Sequence, residues 1–164
     1  MAVYVSHFLV DWDRFCARWA EEEHPLDALD GARRESTRDD TYSSVLGCQE
    51  AYAKYVRKAT LREWSAALDV VAAAVFNQGG PNAIRDLADD FAHETGGFAA
   101  TMQPARVGYV VSQWEALPLE SVQTVLASVM GDGDARFLMD LLASRAALLI
   151  KAAAAGQGYV TRLG

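Results

Sequence analysis

Residues 2–10, AVYVSHFLV, form a short segment rich in β-branched and aromatic side chains, which predicts a β-strand. A second segment of this type, YVTRL at residues 159–163, lies at the other end of the chain. Between them, the apolar residues recur mainly at the spacing of helices. We therefore expect an α+β fold that is mostly helical, with five to six helices around a small sheet formed by the terminal strands.

The helices are predicted from apolar stripes and from residues that cap or break helices. Their expected starts lie at or near residues 11, 43, 60, 82, 118 and 134. Asp11 offers an oxygen to cap the first helix, and Thr60 opens a capping box with Glu63. Asp134 is expected to cap the longest helix, and Gly156 suits the left-handed position that follows it.

Three segments carry no sustained helical pattern. Residues 24–41 predict a long charged surface loop with one helical turn at 26–29, and such loops tend to be functional or disordered. Residues 93–104 predict a second loop. The alternating residues 107–111 predict a second strand, with a short helix as the alternative.

The bulk properties restrict the class of protein. The length of 164 residues matches one globular domain, residues 1–164. The formal net charge of −7 disfavours nucleic-acid binding. The N-terminal apolar run is too short for a signal peptide or a membrane span, so we expect a cytoplasmic protein that binds neither membranes nor nucleic acids.

One carboxylate-rich segment offers catalytic candidates. On a helix, Asp86, Asp90 and His93 fall at i, i+4 and i+7, hence on one face. Such a face can hold a divalent metal or supply acid–base groups, but an ordinary solvated helix face explains it as well. The helical zinc motif H-E-x-x-H is absent, so neither a metal nor another cofactor is predicted.

Cys48 is a fourth catalytic candidate. It follows Gly47 near a helix start, where the helix dipole would lower a thiol pKa, and a pair with His93 would resemble a thiol acyl-transfer site. However, Cys48 also lies on the apolar stripe of its helix. A buried structural cysteine is therefore the preferred interpretation.

Four residues are candidates for ligand binding. Arg33 and Arg38 belong to an arginine-rich cluster that can grip a phosphate or carboxylate, although neighbouring acidic residues can neutralise it. Tyr42 follows this cluster. Trp114 is expected to be partly exposed and to line a pocket or an interface.

Three stretches resemble the YfbM-like family of small bacterial proteins of unknown function. They are HFLVDWD at 7–13, LPLESV at 117–122, and the long final helix that passes through 152–155 and Gly156 into GYVTRL at 158–163. The resemblance implies an α+β fold. It implies no established activity and therefore no catalytic residue.

The sequence leaves two functional hypotheses. The leading one is a non-catalytic binding or interaction protein, of a regulatory or immunity type, that binds a protein partner or a second copy of itself. It is motivated by the acidic surface, the charged loop and the lack of a catalytic signature. The rival is a small enzyme or small-molecule-binding protein of a biosynthetic pathway, with Asp86, Asp90 and His93 facing a pocket and Arg33 or Arg38 holding an anion.

Overall fold

The computed structural model describes residues 4–21, 25–29, 31–35, 42–55, 64–76 and 99–163. Within these ranges the elements are strand β1 (Val5–Val10), helix α1 (Trp12–Glu21), a 3-10 helix (Pro25–Leu29), strand β2 (Arg33–Glu35), helices α2 (Tyr42–Tyr55) and α3 (Ser65–Phe76), strand β3 (Ala99–Met102), helices α4 (Pro104–Glu115), α5 (Leu119–Met130) and α6 (Asp132–Ala154), and strand β4 (Gly158–Leu163). The predicted mostly helical α+β fold is confirmed.

The four strands form one antiparallel sheet in the order β2–β1–β4–β3. The two terminal strands occupy its centre, where Val5 lies opposite Leu163 and Val10 lies opposite Gly158. Strand β2 adds to β1, and strand β3 adds to β4. The predicted pairing of the terminal strands is thus observed, and two short strands complete the sheet.

Both faces of the sheet are covered. Alternate residues of β1 point to opposite faces. Leu9 packs into the larger apolar cluster, which contains residues of helices α2 to α6. Phe8 and Val10 pack into a smaller cluster with α1 and the 3-10 helix. Because both of its faces are buried, the sequence of β1 is a nearly continuous apolar run. This is unusual for an antiparallel strand.

Two helix ends meet at one end of the sheet. The backbone N–H of Arg14 donates to Asp11 Oδ1 at 3.0 Å, which confirms Asp11 as the cap of α1. At the end of α6, Gly156 has a φ of 63° and Gln157 N donates to Ala152 O at 2.8 Å. This is a Schellman ending, as Gly156 predicted. Because Val10 pairs with Gly158, the residues next to them, Asp11 and Gln157, are brought to the same end of the sheet.

Helix α1 packs closely on strand β4 near that end. A Cβ atom placed on Gly158 would lie 2.5 Å from Trp12 Cε3 and 3.0 Å from the carbonyl oxygen of Met102. No side chain fits in this space. The glycine therefore permits the indole to lie directly against the strand backbone.

The structure corrects the sequence analysis in the segment around Pro104. Residues 107–111 belong to helix α4 and not to a strand, because Val107, Val110 and Trp114 are buried at helical spacing while Tyr109 is exposed. The strand is instead β3, within the segment expected to be a loop.

Further differences concern boundaries. Helix α6 begins at Asp132, with Gly131 at the cap position, and not at Asp134. The 3-10 helix confirms the predicted turn at 26–29, but strand β2 was expected to be loop. The Thr60 capping box and the helix expected after Asn82 lie outside the described residues.

Candidate anion-binding site

A pocket of about 190 Å³ lies where the end of β1 and helix α1 meet the start of β2. Its lining residues are Leu9, Val10, Asp11, Arg14, Phe15, Arg18, Ala28, Gly31, Ala32, Arg33 and Gln157. Three arginines and one carboxylate are therefore among the lining residues, together with several apolar residues. We call this site the arginine pocket.

Helix α1 supplies two of the arginines. Arg14 and Arg18 are four residues apart, so they lie on the same side of the helix. Arg14 is exposed and Arg18 is half-buried. The carboxylate of Asp11 is engaged by the backbone amide of Arg14, and the two guanidinium groups border the pocket. A guanidinium presents a planar set of donors that matches carboxylate and phosphate oxygens.

A turn brings the third arginine to the pocket. Gly31 has a φ of 77°, a conformation that L side chains rarely adopt, and Ala32 N donates to Leu29 O at 2.9 Å. The chain reverses there and enters β2, where Arg33 pairs with Leu9 in the sheet register. The side chain of Arg33 is 68% exposed.

An ion pair holds the guanidinium of Arg33 from one side. Its Nε lies 2.6 Å from Glu35 Oε1, although this contact is not aligned as a hydrogen bond. Lys151 Nζ donates to the other oxygen, Glu35 Oε2, at 3.4 Å. Glu35 is thus held between β2 and α6, and its pair with Nε holds the Arg33 guanidinium toward the side of the sheet that α6 covers.

The floor of the arginine pocket is apolar. Val10, Phe15 and Ala28 are buried on the α1 side of the sheet, and Gln157 adds one carboxamide at the edge. Among the described lining residues, Asp11 is the sole carboxylate. The arginines at the border of the pocket suit the binding of an anion.

A second hollow, of about 510 Å³, lies along α5 and is more open. Its lining residues are Glu120, Gln123, Thr124, Ala127, Ser128 and Asp132. The hydroxyl groups of Thr124 and Ser128 donate to carbonyls of their own helix. This hollow is larger, but its described lining residues are those of an ordinary acidic helix surface.

A separate polar cluster is buried between the sheet and α6. It consists of His7, Arg145 and Tyr159, each at most 2% exposed. His7 Nδ1 and the Tyr159 hydroxyl share a hydrogen bond of 2.6 Å, and their rings are stacked with centroids 5.9 Å apart. Arg145 Nη1 lies 2.5 Å from His7 Nδ1 and 2.6 Å from Nε2, and it donates to Tyr159 Oη at 3.2 Å. We call this set the buried cluster.

Because the buried cluster is enclosed, its role is structural. A ligand cannot reach side chains that are this enclosed without moving α6 or the sheet. Polar groups removed from water are costly unless they are paired, and these three side chains pair with one another across β1, β4 and α6. The cluster therefore fixes how α6 docks on the sheet.

Cys48 has an environment that opposes a nucleophilic role. The residue is 3% exposed. Burial, together with the negative charge of Asp134, raises the pKa of the Cys48 thiol to about 11. The lowered pKa expected from a helix start does not occur, because desolvation dominates, and the observation favours the structural interpretation.

The predicted ligand-binding residues that the structure describes do not share one site. Arg33 lines the arginine pocket. Trp114 is 7% exposed and packs in the large apolar cluster, so the expectation of a partly exposed indole is wrong. Helical spacing places it on the same buried face of α4 as Val107 and Val110. Tyr42 is the first residue of α2, and Arg38 lies outside the described residues.

The remaining catalytic candidates, Asp86, Asp90 and His93, also lie outside the described residues. Over residues 4–21, 25–29, 31–35, 42–55, 64–76 and 99–163, no three His, Cys, Asp or Glu side chains are grouped so that they could hold a metal ion. None of the helices in those ranges has the length and apolar character needed to cross a membrane.

The sequence analysis did not identify most residues of the arginine pocket or of the buried cluster. Arg14 and Arg18 gave a weak signal, as two cations at i and i+4 beside an apolar stripe. Arg145 gave a stronger one, because it interrupts the apolar stripe of the final helix at a position three residues after Leu142. His7 similarly stands inside an otherwise apolar strand segment.

The chain matches no protein-family model, no curated protein and no solved structure. The resemblance to the YfbM-like family therefore stays a prediction, and the functional argument depends on the residues of this chain alone.

Proposed function

We propose that this chain is a cytoplasmic, non-catalytic binding protein that captures an anionic group in the arginine pocket. The observation that carries the proposal is that Arg14 and Arg18 of α1 border a pocket that Arg33 of β2 also lines. These residues come from two elements that are separate in sequence. Their convergence is therefore a product of the fold and not of local composition.

The charge distribution supports this proposal. The chain has a formal net charge of −7, so its average field repels anions. The arginines that line the pocket counteract that field at one place, and guanidinium donors bind anions through directional hydrogen bonds. An anion that reaches this pocket also meets apolar residues such as Val10 and Phe15.

A binding role is favoured over catalysis by the chemistry of the lining. The pocket holds arginines, a carboxamide and a carboxylate that caps a helix, which together can bind and orient a ligand. No cysteine, histidine, serine, threonine, tyrosine or lysine is among the described lining residues. Binding of a protein partner or of a second copy of the chain stays a prediction of the sequence analysis.

The proposal can be tested by NMR titration of the labelled protein with benzoate and with inorganic phosphate. We expect amide shifts confined to residues that line the pocket, such as Gly31, Ala32 and Gln157. They should be lost in an Arg14→Ala/Arg33→Ala double variant. Arg136→Ala is the matched control, since Arg136 is exposed on α6 and does not line the pocket.

Two results would overturn the proposal. One is the absence of localised shifts with either anion. The other is an unchanged titration in the double variant, which would show that the arginines do not bind the anion.

A further inference from the structure

A second group of cations lies on the face of the sheet that α1 packs on, at the end away from the arginine pocket. Alternate residues of a strand share a face, so Ser6, Phe8 and Val10 lie on one side of β1. Val10 lines the arginine pocket, whereas Ser6 is four residues away, which is about 13 Å along the strand. The residues around Ser6 therefore form a separate surface.

Arg34 is held over β1 by a hydrogen bond. Its Nη2 donates to Ser6 Oγ at 3.0 Å. In the pairing of β2 with β1, Arg34 lies opposite Phe8, so its side chain is on the same face as Ser6. Arg34 is exposed, and its other guanidinium N–H groups form no hydrogen bond with a residue that the structure describes. The bond to Ser6 thus fixes the guanidinium while most of its five donors stay free for a ligand.

Arg162 flanks Ser6 on the neighbouring strand. It lies directly opposite Ser6 in the pairing of β4 with β1, which places the two Cβ atoms about 5 Å apart on one face. Neither Arg162 nor Arg34 forms an ion pair with a carboxylate among the residues described by the structure. The sheet therefore brings two like charges to one serine. Such charges repel each other, and an anion bound between them would remove this cost.

An aromatic ring borders the same place. Tyr4 directly precedes β1 and is two residues before Ser6, so in the extended chain it lies on the same face. Its side chain is 54% exposed, although it is large and mostly apolar. An exposed ring beside bound charge can stack on a flat group of a ligand. We call Tyr4, Ser6, Arg34 and Arg162 the Ser6 surface.

We propose that the Ser6 surface binds a phosphate monoester that carries a ring, as an aryl phosphate or a nucleoside monophosphate does. A phosphoryl group carries roughly −1.5 to −2 charges at neutral pH, which two guanidinium groups match, whereas a carboxylate carries a single charge. The phosphoryl oxygens accept from Arg34 and Arg162, and the ring stacks on Tyr4. The Ser6 surface is separate from the arginine pocket, so this ligand is additional to the anion of the proposed function.

NMR titration of the labelled full chain tests the site, with phenyl phosphate, adenosine monophosphate and glycerol phosphate as probes. We expect phenyl phosphate to shift the amides of Val5, Arg162 and Leu163 with a dissociation constant of about 1 mM. Glycerol phosphate and inorganic phosphate lack a ring, and benzoate lacks the second charge, so each should bind here at least about tenfold more weakly. At millimolar concentration, benzoate and inorganic phosphate should therefore shift the arginine pocket alone.

Variants separate the contributions of charge and ring. Arg162→Ala should weaken phenyl phosphate about tenfold, and Arg162→Lys should restore part of the loss because it keeps the charge but not the planar donors. Tyr4→Ala should weaken phenyl phosphate about fivefold and leave glycerol phosphate unchanged. Arg136→Ala is the control and should have no effect, since Arg136 is exposed on α6.

The outcomes also separate this site from the arginine pocket. No shift at Val5, Arg162 and Leu163, or an unchanged affinity in Arg162→Ala, overturns the site. Loss of these shifts in the Arg14→Ala/Arg33→Ala variant overturns it as well, because they would then report the arginine pocket.

Equal binding of phenyl phosphate and glycerol phosphate overturns the assignment of a ring to the ligand. If phenyl phosphate binds as expected, tighter binding of adenosine monophosphate assigns a nucleotide to the site, and the reverse assigns a smaller aryl phosphate. A failure of benzoate to shift the arginine pocket would contradict the proposed function and leave the Ser6 surface unaffected.

Discussion

The arginine pocket and the buried cluster use the same residue type in opposite ways. Arg145 is 2% exposed and is surrounded by His7 and Tyr159, whereas the side chain of Arg33 is 68% exposed and is held by one ion pair. Arg145 lies under the sheet, between β1, β4 and α6. Arg33 lies at the sheet's outer strand, beside a pocket.

The difference shows that burial and not residue type determines what an arginine does here. A guanidinium removed from water must be paired within the protein, and its loss affects the whole fold. A guanidinium at the surface contributes little to stability and keeps donors for a ligand. We therefore expect variants of the buried cluster to change stability and variants of the arginine pocket to change affinity.

The largest expected effect is that of Arg145→Ala. The change leaves a cavity and removes a donor from His7 and Tyr159, so the free energy of unfolding should fall by about 3 kcal/mol. Urea denaturation measures this value. Arg136→Ala, on the exposed face of the same helix, is the control and should stay within about 0.5 kcal/mol of the wild type. Equal stability of the two variants would contradict the structural assignment of the buried cluster.

Gly158→Ala should have the next largest effect. Gly158 lies where Trp12 of helix α1 packs against the sheet. The added Cβ would overlap Trp12 and the Met102 carbonyl, and overpacking of this kind costs about 2 kcal/mol. Gly133→Ala is the matched control, since no atom lies within 4 Å of a Cβ at that position.

A Trp12→Leu background sharpens the Gly158 experiment. If the indole is the obstacle, the cost of Gly158→Ala should decrease in that background. A cost that is identical in both backgrounds would show that the strand backbone, and not Trp12, limits the space.

A smaller effect is expected for Cys48 at alkaline pH. Its pKa rises from 9.0 to about 11 in the folded chain, so the folded state binds the thiol proton more tightly than the unfolded state does. This contribution is complete below pH 9.0 and is lost as the pH approaches 11, by about 1 to 2 kcal/mol. Unfolding measured between pH 8 and pH 11 should therefore show a steeper loss of stability in the wild type than in Cys48→Ala. Parallel curves would contradict the burial of this thiol.

The smallest expected effect on stability is that of Arg14→Ala and Arg33→Ala. Both side chains are exposed, so each variant should change the free energy of unfolding by less than about 1 kcal/mol. Ligand affinity measured on the same samples should nevertheless fall about tenfold. A loss of stability as large as that of Arg145→Ala would remove the distinction between the two regions.

Much of the fold was predictable because its signals are local. Asp11 as a helix cap, Gly156 as a helix ending and the strand character of both termini follow from backbone chemistry that acts over a few residues. The prediction of a strand at 107–111 failed where two periodicities overlap, since Val107, Tyr109 and Val111 alternate while Val107, Val110 and Trp114 follow a helix. The helical pattern is the one observed, because Val107, Val110 and Trp114 pack together into the large apolar cluster.

The candidate site was predictable only in part. Arg33 was recognised as a possible anion ligand from the arginine-rich cluster around it. Its companions Arg14 and Arg18 were not, because no sequence spacing relates α1 to β2. The expectation that Trp114 would be exposed was wrong for a similar reason, since the helices that cover it are distant in the chain.

By itself, the sequence determined the fold class, the Asp11 cap, the helix ending at Gly156, the strand character of both termini and the acidic net charge, because these depend on local backbone preferences and composition. Tertiary structure decided which of its arginines are buried and which line a pocket. Burial depends on what packs against a side chain, and the contacts that enclose Arg145 or assemble the arginine pocket join segments that lie far apart in the chain.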